Sequence, residues 1–183
     1  MLAIDSKRKK KETIEKKYPG FIIADVTSKS TYRGLVKLSP FYPHCGIPIP
    51  FYKGHTASCV EAIWQGLKVF KDKGIDKKLF SNTSGKNLKR TVRKNGKPLG
   101  HLKIDNGELL DYIEARKQIY VPAYKWVLEN KVIDIIEKFK KALKQGKNIV
   151  LLDYTTNCDI NNPKQPLSHA WLIKAFIENN YPK

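Results

Sequence analysis

Glu61, Gln65 and Lys68 have the residue types and the spacing of one wall of a binding site. A helix turns 100° per residue, so positions four and seven beyond Glu61 share its face. A carboxylate there can steady a developing cation or activate water, an amide can fix hydroxyls, and an ammonium can hold phosphate. Trp64 sits at the margin of this strip and offers an aromatic surface to a base. The plain alternative is local. Ser58 is a good N-cap and Glu61 follows it by three, the capping-box spacing, in which the carboxylate serves only its own backbone. Gly66 inside a helix costs roughly 1 kcal/mol relative to Ala, so something must approach closely there, another element or a ligand.

Asp153 is the second candidate carboxylate. It closes the strand-like run Ile149-Val150-Leu151-Leu152 and opens a polar loop holding Asn157 and Asp159; a turn or cap role is the alternative. Thr27-Ser28-Lys29-Ser30-Thr31 follows the other compact apolar run, Phe21 to Val26. Such a segment lines a cleft or makes a turn, and Lys29 is its binding candidate. Ser39 to Pro50 holds four prolines, so it is a rigid loop. Its Phe41 and Tyr42 either stack a base or cover core. Residues 75 to 103 are strongly basic, a flap suited to a phosphate-bearing ligand.

Other chemistries find less support. His44, Cys45, His55, Cys59, Cys158 and His169 lack the paired spacing of a zinc site, and Cys59 with His169 as a nucleophile pair has no local support. No glycine-rich phosphate loop is present. Neither metal nor cofactor is expected.

The elements that must position these residues follow from periodicity. A short basic helix is expected over 5 to 17, and a strand over Phe21 to Val26. A helix should run from a Ser58 cap to its end at Gly74, with Val60, Ile63, Trp64, Leu67 and Phe70 buried. Helices are expected over 107 to 119 and 122 to 145, a strand over Asn148 to Tyr154, and a last helix from a Ser168 cap to Ile177. The expected fold is α+β: a basic helix or arm over 1 to 20, then one mostly helical domain over 21 to 183 with a small sheet.

Thirty-five Lys and Arg oppose seventeen Asp and Glu, a formal charge of +18. Such a field draws polyanions, or it is a solubilising coat. No apolar run approaches the roughly 18 residues of a membrane span. Three cysteines without framework spacing read as reduced thiols in a cytoplasmic protein. The oligomeric state is not legible.

Leu38-Ser39-Pro40-Phe41-Tyr42-Pro43 followed by Glu61, Gln65 and Lys68 resembles the NADAR (NAD and ADP-ribose) superfamily over roughly residues 27 to 72. Cys59 stands where that family usually has a small hydroxyl residue. Asp153 to Asn157 and Ser168 to Leu172 parallel the family's closing segment loosely, and add Asn157 and His169 to the binding candidates. The resemblance implies metal-independent cleavage of an N-glycosidic bond in an ADP-ribose-like nucleotide or an ADP-ribosylated nucleic acid. Glu61, or Asp153 in second place, would stabilise the oxocarbenium-like state or activate water. Gln65 and Lys68 would hold ribose and phosphate, and Trp64, Phe41 or Tyr42 would stack the base. The alternatives are a noncatalytic nucleic-acid-binding protein and a protein that only sequesters a nucleotide.

Overall fold

The computed structural model describes residues 1–182. The fold is α+β, with more helix than strand. The chain forms two compact units, one of residues 1–39 and 128–182, the other of residues 40–127.

The first unit is built on a parallel sheet of three strands in the order β1 (Leu2–Ser6), β8 (Ile149–Asp153), β2 (Ile22–Asp25). β8 is buried at all five positions, as expected of a central parallel strand covered on both faces. Its side chains alternate between those faces. Val150 and Leu152 pack with Ile14 of α1 (Lys11–Lys17). Asp153 points the other way and meets the N-terminal end of α7 (His169–Ile177), which packs on β1 and β8. The loops after β1 and β8 therefore leave these neighbouring strands toward opposite faces. A further helix, α6 (Ile133–Lys144), packs against α7.

The expected basic helix or arm over 1 to 20 is helical only at Lys11–Lys17; residues 2–6 are instead a strand of the main sheet, and part of the basic run pairs with its acids. The Asp5 carboxylate takes Lys9 at 2.6 Å, Lys17 at 2.8 Å and the Tyr18 hydroxyl at 3.1 Å. Burial would raise its pKa, yet these partners hold it well below the usual carboxylate range. Lys7 pairs with Asp25 at 2.8 Å.

The second unit carries a hairpin of β3 (Ile47–Pro48) and β4 (Thr56–Ala57), then α2 (Val60–Gly66). An antiparallel sheet follows, of β5 (Lys68–Phe70), β6 (Pro98–Leu102) and β7 (Leu109–Leu110). All seven residues of α2 are buried. The helix is shorter than its periodicity suggested, because Lys68 to Phe70 pair with β6 instead of continuing the turn. Gly66 answers to packing: a Cβ there would run into the Phe80 ring and lie 3.2 Å from the Asp76 carbonyl. α3 (Val92–Asn95) precedes β6.

Helical backbone then runs from α4 (Tyr112–Ala115) through a π turn at Arg116–Tyr120 into α5 (Val121–Asn130). A break was expected near Pro122. The π turn just before it loosens the i to i−4 ladder where proline has no N–H to give. The break falls instead between α5 and α6, at residues 131–132. Among the described residues no helix is long and apolar enough to cross a membrane.

Candidate functional site

The N-cap of α2 decides what Glu61 can do. The cap is Cys59, not Ser58: the Cys59 sulfur accepts from the Ala62 N–H at 3.3 Å. Ser58 is drawn away, its N–H to the Phe80 carbonyl at 2.7 Å and its hydroxyl to the Asn82 carbonyl at 2.5 Å. Glu61 thereby moves to the second helical position, and its own N–H donates to the Pro40 carbonyl at 2.9 Å. The capping box is not made, and the carboxylate is released from local service.

That carboxylate heads a chain of hydrogen bonds. Gln65 Nε2 donates to Glu61 Oε1 at 2.6 Å. Gln65 Oε1 accepts from Lys68 Nζ at 3.0 Å and from the Arg90 N–H at 3.0 Å. The Arg90 guanidinium is spent on the Lys68 and Gly74 carbonyls, which ties the basic segment to this helix. Glu61 is only 8% exposed, yet its second oxygen has no hydrogen bond among the described residues and is not sealed off. Among the described residues, the sealed side-chain polar atoms without a partner are both nitrogens of His101.

Burial sets the titration of the cluster. It pushes the Glu61 carboxyl up, against the opposing pull of the Gln65 hydrogen bond and the Lys68 and Lys89 charges. It pulls the Lys68 ammonium down, opposed by Glu61 and assisted by Arg90 and Lys89. A carboxyl held toward neutrality beside cations is the arrangement of a general acid or base.

An aromatic group backs these residues. Trp64 is 9% exposed, with the His101 ring 3.8 Å away and Tyr112 and Tyr120 edge-on, each at 5.7 Å. Trp64 is thus packed among rings and is not an open platform for a base, a correction to its expected role. Phe41 is half-buried with Lys89 Nζ 5.2 Å from its ring centre, and Tyr42 lies against His44 at 4.7 Å. His101 was missed by sequence reasoning. It faces Lys68 across the β5–β6 pair, and burial together with the Lys68 charge lowers its pKa to about 3. Residues 98–102 read Pro-Leu-Gly-His-Leu without a period-two burial pattern, so no local alternation marked it. Lys89 and Arg90 were visible as part of a basic flap, but not as partners of Phe41 and Gln65.

Asp153, Asn157, His169 and Lys29 belong to the other unit. Asp153 Oδ2 accepts from the Ser168 hydroxyl at 2.8 Å and lies 2.9 Å from His169 Nδ1. His169 Nε2 meets the Val26 carbonyl at 2.9 Å. An acceptor at each nitrogen favours the doubly protonated ring. Burial would lower the His169 pKa and raise that of Asp153, but their mutual attraction and the surrounding hydrogen bonds drive them the other way. The pair ties α7 to β8 and to Val26 just after β2, which is the cap role considered for Asp153. Asn157 pins its own loop through the Asp159 and Gln165 carbonyls. Lys29 is exposed, and its N–H donates to the Thr27 hydroxyl. Among the described residues no group of three or more His, Cys, Asp or Glu could hold a metal ion.

A family model matches residues 6–173. The chain belongs to that family, described as a family of unknown function (DUF6939). No curated protein and no solved structure matches the chain. The family match spans both the Glu61 and the Asp153 clusters and assigns a role to neither.

Proposed function

We propose that the protein cleaves the N-glycosidic bond of an ADP-ribose-like nucleotide or an ADP-ribosylated base, with Glu61 as its acid–base group. The observation that carries this reading is the buried Glu61 carboxyl, freed from capping, raised in pKa and braced by Gln65 beside Lys68. The resemblance to the NADAR superfamily supports it through the same three residues.

The bond between C1′ of the ribose and the base nitrogen breaks, and the electron pair leaves with the base. Glu61 gives its proton to that nitrogen, then takes one from the water that adds to C1′. Its carboxylate form faces the oxocarbenium-like sugar between these steps. Lys68 and Lys89 favour the anion that forms when the proton is given up, and would hold phosphate. Phe41 remains as the base-stacking candidate.

Thermal stabilisation by ADP-ribose, at low salt and at 0.5 M salt, tests binding. A pocket keeps most of the shift in high salt. Glu61→Gln should bind and fail to turn over an ADP-ribosylated substrate, and hydrolysis at the parental rate in that variant would refute the assignment.

A second reading has its own observation. Residues 77 to 104 contain no acidic residue, and the side chains of Lys86, Arg93, Lys94 and Lys97 meet no ion-pair partner among the described residues. A noncatalytic nucleic-acid contact would use these cations. It would show as DNA binding with a steep salt slope and no stabilisation by ADP-ribose.

A further inference from the structure

The carboxyl edge of the parallel sheet holds a feature that the Glu61 reading does not use. A cleft of about 350 Å³ is lined by Ser6 and Arg8 just after β1, by Tyr154, Thr155 and Thr156 just after β8, and by Gln165 and Pro166. β1 and β8 are adjacent parallel strands, and the chain leaves them toward opposite faces, into α1 and toward α7. Where neighbouring strands send their connections to opposite faces, the loops part and leave a crevice, and open α/β sheets bind ligands there.

The lining has the chemistry of an anion site. Lys7 and Lys9 are committed to Asp25 and Asp5, but the Arg8 guanidinium meets no partner among the described residues. The Tyr154 and Thr156 hydroxyls are likewise unengaged. The Ser6 hydroxyl accepts from the Arg8 N–H at 3.3 Å and keeps its own proton to donate. The Thr155 hydroxyl is spent on the Pro166 carbonyl at 3.1 Å. Among the described residues no carboxylate lines the cleft. A guanidinium fork with several hydroxyl donors and no acid matches the oxygens of a phosphate group. The volume exceeds that of a phosphate and suits the rest of a small metabolite.

We propose that this cleft is a phosphate-recognising site for a small phosphorylated molecule, with Arg8 as its principal ligand and Thr156 and Tyr154 as hydroxyl donors. It is separate from Glu61 in chemistry and in residues.

Inorganic phosphate and adenosine 5′-monophosphate are titrated at constant ionic strength into the parent, Arg8→Ala, Thr156→Val and Lys144→Ala. Binding is read from the backbone amide resonances of residues 154–156. These resonances separate the cleft from any phosphate held near Lys68. Lys144 is an exposed lysine of α6 and controls for the diffuse positive field. Arg8→Ala should weaken binding about tenfold or more, as expected for loss of charge-assisted hydrogen bonds. Thr156→Val should weaken it less, and Lys144→Ala should bind as the parent does. Tighter binding of the nucleotide than of phosphate supports a phosphorylated metabolite, and the reverse supports free phosphate. Equal responses in the parent, Arg8→Ala and Lys144→Ala, or no movement of residues 154–156, would overturn the proposal. Because Arg8 is exposed, its variant keeps the fold, and unchanged resonances elsewhere verify this.

Discussion

Replacing Glu61 by Gln isolates the cost of the buried charge. The amide keeps an oxygen where Gln65 Nε2 now donates at 2.6 Å, so the hydrogen-bond chain survives and only the ionisation is removed. The folded pKa of Glu61 lies above its unfolded value of 4.5. Below that value both states hold the proton, and parent and variant should be equally stable. As the pH rises from there to the folded pKa, the unfolded parent ionises and the folded parent does not. The parent then loses stability relative to the variant by up to about 1.4 kcal/mol per pH unit. Above the folded pKa the difference is constant. For a chain of this size each kcal/mol moves Tm by about 2 to 4 °C. Urea unfolding of both proteins from pH 4 to 9 reads the difference directly. A flat difference across that range, or a parent that gains on the variant, would refute the reasoning. Lys68 provides an internal check: without the Glu61 charge, its ammonium should deprotonate at lower pH than in the parent.

The Asp153–His169 pair gives a different pH signature. Asp153, lowered from 3.8, stabilises above that pH and loses this as the pH falls through its folded value. His169, raised from 6.5, stabilises fully below 6.5 and loses this as the pH rises through its folded value. Asp153→Asn should therefore cost most between these two values, about 3 to 5 kcal/mol for breaking a buried pair, and less above the folded pKa of His169; denaturant unfolding at pH 5.5 and 9 checks it. Gly66→Ala should destabilise by about 1 to 3 kcal/mol despite alanine's better helix propensity, because its Cβ meets Phe80, and Phe80→Leu in the same chain should recover part of the loss. His101→Phe replaces two unpartnered buried nitrogens by carbon, so it should leave Tm unchanged or raise it, whereas His101→Ala should lower it by leaving a hole beside Trp64.

Local patterns carried much of the fold. The strand Ile149–Asp153 was legible because a fully buried strand is an unbroken apolar run, and the Ser168 cap marked the start of α7 by the one hydroxyl preceding its apolar stretch. The approach of another element at Gly66 was legible from the cost of glycine in a helix, although the approaching ring was not. Glu61, Gln65 and Lys68 were also brought together, although only the first two by the helix: Lys68 reaches Gln65 from the start of β5. Tertiary structure decided the rest. Leu2–Ser6 became a strand only through pairing with β8, which comes from the far end of the sequence, so no local signal announced it. Ser58 had every mark of an N-cap, but Phe80 and Asn82 claimed it and left the cap to Cys59. His101 acquired its neutrality from the rings and the ammonium packed around it. Whether a carboxylate ties off a helix or stands buried with one oxygen free depends on which distant groups compete for its neighbours, and residue types along the chain do not record that competition.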